Sequence, residues 1–87
     1  MSKIEKLYDR IKNNPKNVRF EEIKHLLITY GFTYRQPRSG SSHYVFTKKE
    51  CPYPVTISHQ RPVNKHFINE AIKAIEDYGD LLLETEN

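Results

Sequence analysis

The stretch RQPRSGSSHYVFTKK, residues 35–49, places His43 directly after a glycine-serine turn, with Arg35 and Arg38 before it and Lys48 and Lys49 after it. An imidazole that titrates near neutrality can take a proton from a ribose 2′-hydroxyl or return one to a leaving 5′-oxygen, which is worth about 10²- to 10⁴-fold in rate. Guanidinium groups beside it would grip the phosphate and stabilise the charge that builds on it in the transition state. This chemistry needs no metal. A single histidine supplies one of the two proton transfers, so the other falls to water, a lysine, His59 or a further group. The competing account of the same residues is a ligand-facing turn with no chemistry, and a turn histidine is more often a surface residue than a catalyst.

The remaining histidines divide by position. His59 follows the apolar run PVTIS just before Gln60-Arg61-Pro62, and His66 falls in the first turn of a helical pattern. Both can approach a basic end of a sheet, with His59 and Arg61 as secondary site residues. His25 flanks the apolar stripe of another helix and is expected to be structural or exposed. Zinc ligands come in closely spaced pairs, and His43, Cys51, His59 and His66 do not, so no metal is expected. The lone cysteine, Cys51, has no partner for an internal disulfide, in keeping with a reducing compartment, and is expected to be a bystander.

The charge distribution carries more information than its sum. The chain of 87 residues has a formal net charge of +3. Residues 33–66 hold six basic residues against Glu50 alone, a net of +5, whereas the remainder holds eight basic and ten acidic residues, a net of −2. A polyanion-binding surface requires such a concentration. A solvated basic surface without a specific ligand is the plain alternative. Tyr34, Tyr44, Phe46 and Tyr53 interleave with the cations; base stacking is one use for them, and packing within a sheet is the commoner one. No GxxxxGK or GxGxxG occurs, which argues against nucleotide-driven chemistry. No apolar run approaches the roughly 20 residues that span a bilayer, and the N-terminal segment does not read as a signal peptide, so a cytoplasmic protein is expected.

The elements that must position these residues follow from periodicity. Ile4, Leu7, Tyr8 and Ile11 predict a helix over about 3–13, ended by Asn13-Asn14-Pro15, and NPKNVR reads as a short connector. Phe20, Ile23, Leu26, Leu27 and Tyr30 predict a second helix closed by Gly31 in the left-handed conformation. From Phe32 the pattern changes to sheet, with FTYRQP, HYVFTK and PVTIS as strands joined by short connections into an antiparallel meander. Asn64 is a good N-cap for a third helix, Val63 and Ile68 form a staple across it, and Gly79 is expected to close it. The order α-α-β-β-β-α predicts one α+β domain, residues 1–87, with helices on one face of a three-stranded antiparallel sheet. Leu81 to Leu83, in the tail, are expected to pack back on the core.

In this order the quoted segments GFTYRQPRSGSSHYVFTKK, PVTISH and NKHFINEAIKAIEDYG resemble the HicA toxins of toxin-antitoxin systems, over about residues 20–78. The matching features are Gly31-Phe32 at a helix end, Ser42-His43 leading into the strand Tyr44-Val45-Phe46, and His59 after the third strand. The resemblance implies a fold like the double-stranded-RNA-binding domain and a metal-independent, cofactor-free endoribonuclease that cleaves messenger RNA. It implies His43 as the catalytic histidine and a HicB-type antitoxin as protein partner; on that reading Arg35, Arg38, Ser42, Lys48 and Lys49 are expected to contact the RNA. Residues 1–18 would be an added N-terminal helix and connector, 19–79 the HicA-like core and 80–87 a tail. Three departures stand out: an extra serine in Gly40-Ser41-Ser42-His43, Ser58 where a proline is usual, and the added first helix. A noncatalytic RNA-binding module of the same fold, reading duplex shape through phosphates and 2′-hydroxyls, is the alternative. A protein-interaction domain using a free sheet edge is a third.

Overall fold

The computed structural model describes residues 3–35 and 42–80. The expected packing of Leu81 to Leu83 on the core and the position of Arg38 lie outside those residues. The chain runs α1 (Lys3–Asn13), a short 3-10 turn (Pro15–Asn17), α2 (Phe20–Thr29), β1 (Thr33–Arg35), β2 (His43–Thr47), β3 (Val55–Ser58) and α3 (Lys65–Tyr78). The expected order and class are thus met, and the connector between the first two helices differs only in containing one turn of 3-10 helix. Pro15 at its start explains that turn, because its fixed φ suits a first helical position and its missing N–H costs nothing there.

The sheet is an antiparallel meander in the order β1-β2-β3. Register places Tyr34 opposite Phe46, Phe46 opposite Val55, and Tyr44 opposite Ile57, so these five side chains share one face. Phe46 and Ile57 are fully buried there, beneath α2 and α3 with Ile23, Leu26, Leu27, Ile68 and Ala71. The sequence left open which of the pairs Tyr44/Phe46 and His43/Val45 faces the helices; the first pair does, because only it can add two large rings to the core. Burying a side chain of this size contributes about 1.5–3 kcal/mol. The aromatics are therefore mainly packing residues, with Tyr34, Tyr44 and Phe46 forming a tilted ladder of rings 5.5–5.8 Å apart. Tyr53, in the β2–β3 connection, is 39% exposed.

The ends of α2 and α3 are joined twice. Val63 donates its N–H to the Val18 carbonyl just before both helices begin, and Asp80 donates to the Tyr30 carbonyl just after both end. The two helices therefore run parallel. At the end of α2, Gly31 has φ +102°, Phe32 donates to the Leu27 carbonyl and Gly31 to that of Ile28, a Schellman closure with Phe32 and Leu27 both buried. Asn64 caps α3 as expected, its side chain accepting from the His66 N–H at 2.8 Å. Val63 and Ile68, the expected staple, are both buried. Gly79 departs from the expectation: its φ of −72° and ψ of 144° are extended, not left-handed. Its lack of a side chain matters for another reason, since a Cβ there would lie 2.7 Å from the Ile75 carbonyl oxygen.

α1 packs across α2 and α3 through Ile11, fully buried, with Ile4, Leu7 and Tyr8 partly so. Three polar contacts accompany the apolar stripe. Arg10 pairs with Glu22 of α2, Lys12 pairs with Glu76 of α3 at 2.6 Å, and the Tyr8 hydroxyl donates to Glu76 at 2.8 Å. Lys12 and Tyr8 hold the Glu76 carboxyl below the usual carboxylate range. Burial alone would raise Glu22, but the Arg19 N–H and the Arg10 guanidinium outweigh it and lower its pKa.

Candidate active site

His43 opens β2 and is exposed. Its register partner is Ser58. Because side chains alternate along a strand, His43 and Ser58 lie on the face opposite Tyr44 and Ile57, away from α2 and α3. Arg35 closes β1 opposite Val45, on that same face and one diagonal step from His43. Such diagonal neighbours have Cα atoms about 7–8 Å apart, within reach of a long side chain. The register therefore sets Arg35 on the same face as the turn histidine, one diagonal step away. Among the described residues no carboxylate pairs with Arg35.

His59 is drawn to the same end of the sheet but to the other face. Its N–H donates to the Ser42 carbonyl at 2.8 Å, which extends the β2–β3 ladder by one pair beyond His43 and Ser58. Its ring stands edge-on to Phe20, 4.5 Å between centroids at 71°, and 6.2 Å from Tyr44. The sheet thus separates the two imidazoles, and His59 is not on the side where His43 and Arg35 would hold a phosphate. His59 Nε2 comes within 3.9 Å of Glu21, a long contact between mostly exposed groups. His66 pairs with Glu70 one turn on at 3.2 Å on the exposed side of α3, and His25 is exposed on α2.

The lysines behave differently from the arginines. Lys48 follows β2 at the end remote from His43, and its ammonium pairs with Glu50 at 2.6 Å and Asp80 at 3.0 Å. Only 8% of that side chain is accessible. Hydrogen bonds to both carboxylates raise the Lys48 pKa, and Lys48 in turn lowers that of Glu50. An ammonium already held between two carboxylates is poorly placed to bind a phosphate, so the sequence expectation for Lys48 loses its geometric basis: proximity along the chain concealed a partner 32 residues away. Lys49 is exposed at the same remote end. Cys51, read as a bystander in a loop, is buried at 8%, its thiol 3.2 Å from the Tyr53 carbonyl oxygen.

Two residues that the sequence did not assign to the site, Arg19 and the helix-stripe residue Phe20, belong to the histidine end. Arg19 is the residue before the first turn of α2, and Phe20, 5% exposed, supports the His59 ring. Arg19 lies outside the basic segment counted from residue 33, and only the meeting of the α2 start with the segment after β3 reveals it. Together with Arg61 these residues line an open cleft of about 840 Å³. Among the described residues, no group of three or more His, Cys, Asp or Glu side chains is arranged to hold a metal ion, and no helix is long and apolar enough to cross a membrane. No family model, no curated protein and no solved structure matches the chain.

Proposed function

We propose that the chain is the toxin of a HicA/HicB-type toxin-antitoxin system, a cytoplasmic, metal-independent endoribonuclease of double-stranded-RNA-binding-domain-like fold. The observation that carries this reading is the placement of an exposed His43 beside Arg35 on the sheet face opposite the helices. In the reaction, the ribose 2′-oxygen attacks the adjacent phosphorus, the bond from phosphorus to the 5′-oxygen breaks, and a 2′,3′-cyclic phosphate and a 5′-hydroxyl result. His43 makes one of the two proton transfers, from the 2′-hydroxyl or to the 5′-oxygen. Arg35 binds the phosphate and opposes the charge that grows on its oxygens. Ser42 and Arg38 flank the histidine in sequence and complete the contact to the RNA backbone. Contacts of this kind position the strand without reading its bases. A HicB-type antitoxin would silence the enzyme by covering His43 and the cations beside it, aided by an acidic docking face.

The noncatalytic RNA-binding module draws support from one feature: His59, the nearest second imidazole, faces away from His43. Labelled RNA incubated with pure protein in EDTA decides between the two. The nuclease reading expects cleavage that falls by about 10²- to 10⁴-fold in His43→Ala, with unchanged circular dichroism and with growth arrest on expression abolished. Bound but intact RNA with the unaltered protein would establish the module instead.

A further inference from the structure

The cleft on the helix side of the histidine end is not used by the chemistry at His43. Its floor is Phe20, with the His59 ring edge-on to it at 4.5 Å and Tyr44 behind, 4.7 Å from Phe20. The His59 side chain remains 47% accessible, so part of the ring faces the opening. Arg19, at the start of α2, and Arg61, in the segment after β3, both line the cleft. No carboxylate pairs with Arg61 among the described residues. Of the two acids on the rim, Glu22 is engaged by Arg10 and by the Arg19 N–H at 3.0 Å. Glu21 is 73% accessible, and its ion pair among the described residues is with His59, at 3.9 Å. At about 840 Å³ the cleft falls within the roughly 300–1,000 Å³ of sites that hold small organic ligands.

A half-exposed imidazole edge-on to a phenyl ring, in a cleft also lined by two arginines, matches the parts of a nucleotide. A base has a face to stack, and its phosphate carries the charge that arginines bind bidentately. An acidic peptide would use the cations but leave the ring platform idle. The ladder places His59 one residue past Ser58, the partner of His43, so the cleft and the candidate catalytic group lie around the same corner of the sheet. The geometry points to a subsite in which His59 stacks on a base of single-stranded RNA, while Arg61 and Arg19 hold the phosphate of that nucleotide, next to the bond cleaved at His43. This assignment rests on the ribonuclease reading for the position of the scissile bond, but not for the affinity of the cleft. It gives His59 a binding function and no proton to transfer.

The test compares full-length variants on a labelled single-stranded RNA oligonucleotide and on a dinucleotide that spans only the scissile bond. Arg61→Ala and His59→Ala should each raise the KM of the oligonucleotide about tenfold with little change in kcat, and leave the dinucleotide unaffected. His59→Phe keeps a stacking surface and should restore the oligonucleotide KM. In a His43→Ala background the same substitutions should weaken RNA binding by the same factor. Cleavage by the parent with a KM indifferent to Arg61→Ala and His59→Ala overturns the subsite and leaves the nuclease intact. Binding without cleavage, weakened by both substitutions, supports the subsite while removing the nuclease. A collapse of kcat in His59→Phe makes His59 a proton-transfer group and overturns the assignment. RNA affinity untouched by any cleft substitution also overturns it, and passes the cleft to an acidic protein partner.

Discussion

The two ends of the sheet use cations in opposite ways. At the end where α2 and α3 finish, Lys48 is held by Glu50 and Asp80, and its aliphatic stem lies against Gly31, where an added Cβ would come 2.9 Å from Lys48 Cε. At the end where the helices begin, Arg35 and Arg61 have no carboxylate partner among the described residues, and two imidazoles stand around the same corner. One end spends its charge on closing the fold. The other leaves Arg35 and Arg61 outside any ion pair among the described residues. Net charge, or even the local count over residues 33–66, cannot distinguish these uses, because a cation's role depends on which acid the fold brings to it.

Substitutions at the two ends should therefore separate stability from RNA handling. The largest effect is expected at the closed end. Gly31→Ala puts a side chain at φ +102° and against Lys48, and should destabilise the protein by about 1–2 kcal/mol. Chemical denaturation would measure that loss, while cleavage per folded molecule should not change. A loss of cleavage without a loss of stability would break the division of labour between the ends. Next, Arg35→Ala should weaken RNA binding and reduce the dependence of log affinity on log salt by about one unit, as expected for one lost phosphate contact. Lys48→Ala should leave that slope where it is. Equal slopes for the two variants, read from binding isotherms at several salt concentrations, would mean that both ends meet the RNA.

The smallest effect concerns acid. Glu22 and Glu76 have folded-state pKa values below the ordinary glutamate value, and Glu50 shares this shift. A carboxylate lowered in this way contributes stability that is present above its unfolded pKa and lost as pH falls through the folded one. Since Glu22 and Glu76 anchor α1, mild acidification below about pH 4.5 should loosen that helix first. Hydrogen exchange on α1 amides, compared with those of β2, would show it. Glu76→Gln should remove part of the pH dependence, and an unchanged profile would argue that Lys12 and Tyr8 contribute nothing to docking.

Much of the architecture was legible in the sequence for local reasons. The apolar spacing of Phe20, Ile23, Leu26 and Leu27 required a helix, Gly31 required a left-handed closure, and Asn64 with Val63 and Ile68 marked the start of α3. What was not legible depended on contacts distant in sequence. Alternation separated Tyr44 and Phe46 from His43 and Val45 but could not say which pair was covered, since both contain an apolar residue. His59 appeared as a second imidazole near the first, and only the pairing of Ser42 with His59 shows that the sheet stands between them. Lys48 belonged to a run of basic residues until Asp80 was brought to it. Gly79 ended its helix as expected, but through a close approach to the Ile75 carbonyl and not through a positive φ.

The joining of Val18 to Val63 at one end and of Tyr30 to Asp80 at the other has a wider consequence. Parallel helices add their dipoles, so each contributes roughly half a positive charge to the same pole and half a negative charge to the opposite one. Within the α2–α3 pair the backbone therefore has a direction before any side chain is counted. If the proposed function holds, this pair would help turn the histidine pole toward an approaching RNA, and salt that shortens the reach of its field should slow encounter before it weakens the docked state.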